Sequence, residues 1–189
     1  ALCTHIDHQI RVVIGTLREE RLLDNTIILF TSDHGDMLGN HGQWAKRLFY
    51  QDSACVPMLL TGVAGDDRVG HHLTASRLVG WQDVMPTLLD LAGIEIPTSV
   101  EGQSMVGTES RETLYGECSE GAGATRMIHD GRHKLIYYAA GNCVQLFDLD
   151  EDPRELSDLS DSANHADIRK DLTGKLVSEL YGGDEAWVE

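Results

Sequence analysis

The residues best suited to chemistry sit in one short stretch, Thr31-Ser-Asp-His-Gly-Asp-Met-Leu-Gly-Asn-His-Gly-Gln-Trp-Ala-Lys46. Asp33 offers carboxylate oxygens to a divalent cation, and His34 beside it offers an imidazole nitrogen. Two neighbouring residues cannot complete a coordination shell, so further ligands must come from elsewhere. Lys46 supplies a compact, mobile positive charge suited to a tetrahedral oxyanion. A cation and a lysine together would stabilise negative charge developing on a transferred sulfuryl or phosphoryl group. The same triplet, Asp-His-Gly, also caps ordinary turns, and spacing alone leaves both readings open. His41 reads as a hydrogen-bonded loop histidine, Asp36 as a solvated turn residue. Trp44 and Phe49 flank Lys46, where they could line a pocket mouth or, for Phe49, fill a core.

Positioning these groups requires a scaffold, and the chain supplies its signals in order. Residues 1–20 carry Leu2, Ile6, Ile10, Val13, Ile14 and Leu17 at helical steps, which predicts an amphipathic helix. Thr26 to Thr31 is a short apolar run suited to a strand buried on both faces of a parallel sheet. The Asp-His loop follows it directly, at the strand end where ligands gather in open α/β sheets. Val56 to Thr61 reads as a second buried strand, residues 62–75 as a charged loop, and Trp81 to Ala92 as a helix stopped by Gly93.

The pattern then changes. Thr113 to Cys118, Arg126 to His129, Lys134 to Ala139 and Val144 to Asp148 are short strand-like runs, and Asp130-Gly131 is a hairpin signal. Asp148 to Glu155 is acidic but lacks the glycine and ligand spacing of a calcium-binding loop, so it reads as a solvated turn. A helix closes the chain at about 166–181, and Asp184 to Glu189 forms a frayed acidic tail. The expected class is α/β: a partial sheet with helices over residues 1–108, then a small antiparallel sheet and closing helix over 109–189.

Composition limits what the chain can do. Its 189 residues carry 15 basic and 31 acidic side chains, a net charge of −16, which argues against nucleic acid and against anionic membranes. No apolar run reaches membrane-spanning length. Cys3, Cys55, Cys118 and Cys143 are widely spaced and form no C-x-x-C pair, so a zinc knuckle is not expected, although two disulfides are arithmetically open. His5 with His8, and His71 with His72, are possible ligand pairs that fit exposed polar surface better. The first residue is Ala1 and no leader is visible, so the chain reads as a fragment or processed product; compartment, periplasmic or cytoplasmic, is open.

The segment Leu22 to Lys46, with Val56-Pro-Met-Leu-Leu60, Asp83-Val-Met-Pro-Thr-Leu-Leu-Asp-Leu-Ala-Gly-Ile94 and Glu101-Gly-Gln-Ser104, strongly resembles the sulfatase (arylsulfatase-like) family of the alkaline phosphatase superfamily. Asp130-Gly-Arg-His-Lys-Leu-Ile136 and Leu146-Phe-Asp-Leu-Asp-Glu-Asp-Pro-Arg-Glu155 fit that family's C-terminal sheet, in the family's order. The resemblance implies a partial alkaline-phosphatase-like sheet in residues 1–108, with Asp33 and His34 as ligands of a catalytic cation. Calcium is implied first, with manganese or zinc as alternatives. It implies that Lys46 contacts the sulfate, that 83–94 is a packing helix and that 130–136 is structural; Trp44 is read as substrate-binding from its place beside Lys46. It also implies a sulfate-ester substrate, small molecule or glycan, and an N-terminal half bearing a C-x-P-x-R motif whose cysteine becomes the formylglycine nucleophile. This chain has no such motif: Cys55-Val-Pro-Met-Leu59 lacks the arginine and reads as a small core or strand-edge cysteine. The parent would hydrolyse sulfate esters and this chain by itself would not. A phosphonate monoester hydrolase or phosphodiesterase of the superfamily, and a non-catalytic binding or assembly module, are the alternatives.

Overall fold

The computed structural model describes residues 1–69 and 72–180, and it divides the chain into two compact units. One unit comprises residues 1–31, 58–74 and 82–108; the other comprises 32–57, 75–81 and 109–189.

In the first unit the N-terminal periodicity becomes helix α1, Leu2–Glu19. None of its residues is buried, and Leu2, Ile6 and Val13 lie open on its surface. Strands β1, Ile28–Thr31, and β2, Met58–Thr61, pair antiparallel with Phe30 opposite Leu59. The expectation of a parallel pair buried on both faces is therefore corrected for these strands: Phe30 and Leu59 are both exposed. An unbroken apolar run carries no information about strand direction. Parallel neighbours need a substantial crossover, usually a helix. The chain between β1 and β2 holds only a 3-10 turn at Asn40–Gly42 and the one-turn helix α2, Gln51–Ala54.

Helix α3, Val84–Leu91, starts with Pro86 in its first turn, where no hydrogen bond is lost, and stops at Gly93 with φ +69°. Residues 101–105 strap across it. The Asp83 carboxylate accepts the Gln103 N–H at 2.9 Å, Thr87 Oγ1 accepts the Met105 N–H at 2.8 Å, and Ser104 donates to Asp90 at 2.5 Å. Gly102 is needed for this approach, since a Cβ there would lie 1.9 Å from the Gln82 carbonyl oxygen. The charged stretch before it is ordered too: Arg68 bonds Asp66 at 2.7 Å and Asp90 at 3.0 Å.

The second unit is built on an antiparallel sheet in the order β3 (Leu114–Cys118), β4 (Thr125–His129), β5 (His133–Tyr138) and β6 (Cys143–Asp148). The four strand-like runs and the Asp130-Gly131 turn are thus realised. Gly131 takes φ +103°, and the Asp130 carboxylate accepts the N–H groups of Arg132 and His133. Alternation along the strands creates two faces. Ile128, Leu135 and Leu146 pack with Leu172 and Leu176 of helix α4, Ala166–Glu179. Met127, Ile136 and Phe147, one residue along, pack instead with Phe49 and Tyr50. The sheet therefore has a helix on one side and, on the other, the segment that follows Lys46.

All four cysteines are free, and Cys55 is exposed just before β2, so the core placement considered for it does not hold. His71 and the acidic tail lie outside the described residues, while His5, His8 and His72 are exposed. Among the described residues no helix is long and apolar enough to cross a membrane.

Candidate metal and anion site

The loop after β1 is tied down along its length. Ser32 accepts the Trp81 indole N–H at 2.8 Å through its carbonyl, and the Gly35 N–H donates to the Ser53 carbonyl at 2.8 Å. The Gly35 position touches backbone so closely that a Cβ there would sit 2.0 Å from the Asp52 carbonyl oxygen. Met37 is fully buried, and its N–H donates to the Ala45 carbonyl at 2.8 Å. Between residues 38 and 47, four non-glycine residues adopt left-handed backbone: Leu38, His41, Ala45 and Arg47. Each such residue costs about 1–3 kcal/mol and persists only where its surroundings hold it.

Those surroundings are identifiable. The Asn40 amide donates to the Asp52 carboxylate at 2.5 Å. The His41 ring stacks on Tyr50 with 4.1 Å between centroids, and its Nε2 donates to the Arg154 carbonyl at 3.1 Å. Tyr50 in turn donates to the Gln145 side chain at 2.9 Å. His41 is thus a bonded loop histidine, and Phe49, half-buried, packs against the core of the sheet. Trp44 stays exposed, with its indole against Gly39.

Asp33, His34 and Lys46 come together. The imidazole Nδ1 lies 2.7 Å from the Gly35 carbonyl oxygen, which can only accept, so Nδ1 carries the proton. The Nε2 lone pair is thereby directed outward. It lies 3.2 Å from Asp33 Oδ2 and 2.5 Å from Lys46 Nζ. Burial works to raise the Asp33 carboxyl, but the His34 backbone N–H and the Lys46 charge help hold it below the usual range. A carboxylate oxygen and an ammonium thus both lie within contact distance of one imidazole nitrogen. The donor set fits part of a divalent cation's shell. Among the described residues no group of three or more His, Cys, Asp or Glu side chains gathers to hold an ion unaided.

A second cluster was not legible as functional. Asp148 and Glu155, expected at the ends of a solvated turn, are both buried. Asp148 takes Arg132 at 2.6 Å, which together with its hydrogen bonds holds its carboxyl down to about 2 against the opposing effect of burial. Glu155 forms an ion pair with Lys134, itself buried in the strand β5. The Lys134 ammonium also donates to the Phe49 carbonyl at 2.6 Å and to the Gln51 side chain at 2.9 Å. Burial lowers the Lys134 pKa, opposed by the Glu155 charge. A signal existed: Lys134 shares a face with Ile136, so period-two reading puts a lysine among inward apolar positions.

Residues 39–181 match the family described as N-sulphoglucosamine sulphohydrolase, C-terminal. An arylsulfatase of Clostridium perfringens (strain 13 / Type A) is 35% identical over 192 residues, covering 98% of this chain and 40% of the relative. Among solved structures, a protein in complex with its substrate D-glucosamine-2-N,6-O-disulfate matches with TM-score 0.76 and 26% identity over 92% of this chain and 37% of that one. The phosphonate monoester hydrolase of Agrobacterium radiobacter matches with TM-score 0.80 and 26% identity, covering 93% of this chain and 40% of that one. The chain spans about 40% of the length of the curated arylsulfatase it matches.

Proposed function

Since this chain belongs to the N-sulphoglucosamine sulphohydrolase C-terminal family, we propose that it is the C-terminal part of a sulfuric ester hydrolase and supplies part of its cation and sulfate site. The observation that carries the reading is the gathering of Asp33 Oδ2 and Lys46 Nζ about His34 Nε2, at 3.2 and 2.5 Å. Asp33 and His34 would hold a divalent cation, calcium first and manganese or zinc as alternatives. That cation would act as a Lewis acid on a sulfuryl oxygen. Residues 1–108 belong with the catalytic α/β core in this reading, and 109–189 form its smaller companion subdomain.

The chain's own residues have distinct tasks. The Gly35 carbonyl holds His34 in the tautomer that leaves Nε2 free for metal. Asp33, an exposed carboxylate, contributes negative charge at neutral pH. Lys46, on a flexible four-carbon stem, turns from the imidazole to a sulfate oxygen and donates a hydrogen bond where charge accumulates. Exposed Trp44 offers an aromatic face to the organic part of the ester. In this reading the nucleophile, a formylglycine, and the remaining ligands would be supplied from outside these residues. The open apolar stripe of α1 is a surface for that part to cover. The substrate is a sulfate ester, small molecule or glycan.

The likeness to a phosphonate monoester hydrolase supports a second reading, phosphoryl in place of sulfuryl transfer by the same groups. Full-length protein should be assayed on matched aryl sulfate and aryl phosphonate esters, before and after chelation and with each cation restored. Sulfate turnover that falls on chelation, and in Asp33→Asn and Lys46→Ala, supports the first reading. A preference for the phosphonate replaces it with the second, and turnover untouched by both substitutions sinks both. Purified residues 1–189 should show no turnover.

A further inference from the structure

The limb of the loop that returns from Lys46 toward β2 is gripped from beneath by two charged residues distant in sequence. The Lys134 ammonium donates to the Phe49 carbonyl at 2.6 Å and to the Gln51 side-chain oxygen at 2.9 Å. Glu155 faces the same ammonium with one oxygen and accepts the Gln51 N–H at 2.6 Å with the other. Its Oε1 meets the Lys134 ammonium in the ion pair. Both side chains are almost wholly buried. Glu155 also holds left-handed backbone at φ +56°, and the preceding carbonyl, Arg154, accepts from His41.

Buried ion pairs are weak sources of net stability, because removing two charges from water offsets most of their attraction. This one is spent on backbone: two groups of residues 49 and 51 terminate on it. Arg47 and Ala45, on either side of Lys46, adopt left-handed conformations that only external restraint can hold. Ala45 is held directly, its carbonyl accepting the Met37 N–H at 2.8 Å, and beyond Arg47 residues 49–51 are fixed by the pair.

We propose that Lys134 and Glu155 are positioning residues for Lys46, joining the C-terminal sheet to the anion site through the backbone of residues 49–51. The inference rests on the reading of Lys46 as the sulfate-contacting cation. Loss of the pair leaves Lys46 chemically intact but misplaced.

The test is a double-mutant cycle in full-length protein, with Lys134→Met, Glu155→Gln and Lys46→Ala, alone and combined, read on an aryl sulfate. Glu155→Gln keeps the shape and the acceptor for Gln51, so it serves if Lys134→Met folds poorly. Turnover is expressed per folded site. Hydrogen exchange at residues 45–51 is measured on the same proteins. Either single change at the pair should lower kcat by about 10- to 100-fold, the scale of a misplacement near 1 Å. It should also speed exchange at residues 45–51, and in the Lys46→Ala background it should cost almost nothing more. Lys134→Arg should recover part of the loss. A purely structural role predicts additive losses, or a lower melting temperature with unchanged kcat, and either result overturns the proposal. Unchanged exchange at residues 45–51 overturns it independently of any activity. Full turnover in Lys46→Ala alone strikes the functional reading instead, leaving the exchange result to decide the grip itself.

Discussion

Replacing Gly35 with alanine places a methyl carbon 2.0 Å from the Asp52 carbonyl oxygen, where real contacts do not fall below 3.0 Å. The neighbour is backbone, so no side chain can swing aside. The two strands of the loop must part by the difference between those distances. The Gly35 N–H to Ser53 carbonyl bond, 2.8 Å long, would then exceed hydrogen-bonding range. Leaving those groups unpaired costs about 1–3 kcal/mol. The Gly35 carbonyl moves with its residue, so the bond that fixes the His34 tautomer is weakened with it. Disturbing such a supporting bond typically lowers metal affinity or activity about 10- to 100-fold. The expected result in full-length protein is a modest fall in melting temperature with a much larger loss of cation-dependent turnover. Titrating the cation back should recover part of that turnover. Wild-type cation affinity and turnover in Gly35→Ala would refute the argument that this close approach shapes the site.

Other outcomes can be checked alongside. Asp148 has its folded pKa depressed from 3.8 to about 2. Its contribution is therefore complete above pH 4 and lost as pH falls through 2. With Arg132 half exposed, that contribution is about 1 kcal/mol rather than the full value of the shift. Asp148→Asn should flatten the acid-unfolding slope between pH 4 and 2 in denaturant titrations, and an unchanged slope counts against the pair. Leu172→Ala empties a fully buried site between α4 and the sheet and should cost about 2–5 kcal/mol by chemical denaturation. A loss under 1 kcal/mol would mean that α4 does not pack as described. His34→Gln should weaken cation binding, measured by calorimetry on full-length protein, while leaving the melting temperature of the cation-free form nearly unchanged.

Local chemistry was readable where it acts over a few residues. Asp130-Gly131 forecast its hairpin because an aspartate accepting two backbone N–H groups and a glycine at positive φ are both local requirements. Strands β3 to β6 and helix α4 followed from periodicity and breakers. Asp33, His34 and Lys46 stood out by residue type, and the loop brings their side chains together. The direction of β1 against β2 was not readable, because an apolar run satisfies either pairing. The burial of Asp148 and Glu155 was hidden for another reason. Charge in sequence suggests solvent, and only partners sixteen and twenty-one positions away, Arg132 and Lys134, make burial tolerable. The left-handed residues from Leu38 to Arg47 carry no compositional mark, since contacts distant in sequence, such as His41 with Tyr50 and Arg154, are not visible locally.

Strand β5 alternates between two employers: Leu135 faces α4, while Lys134 and Ile136 face the segment carrying Phe49 and Tyr50. A single-residue insertion early in this strand would reverse every later assignment at once. The lysine would meet leucines, and a leucine would meet the carbonyl of Phe49. Substitutions along β5 should accordingly fall into two interleaved classes, both felt in stability but only the Lys134 side felt also as lost turnover per folded protein.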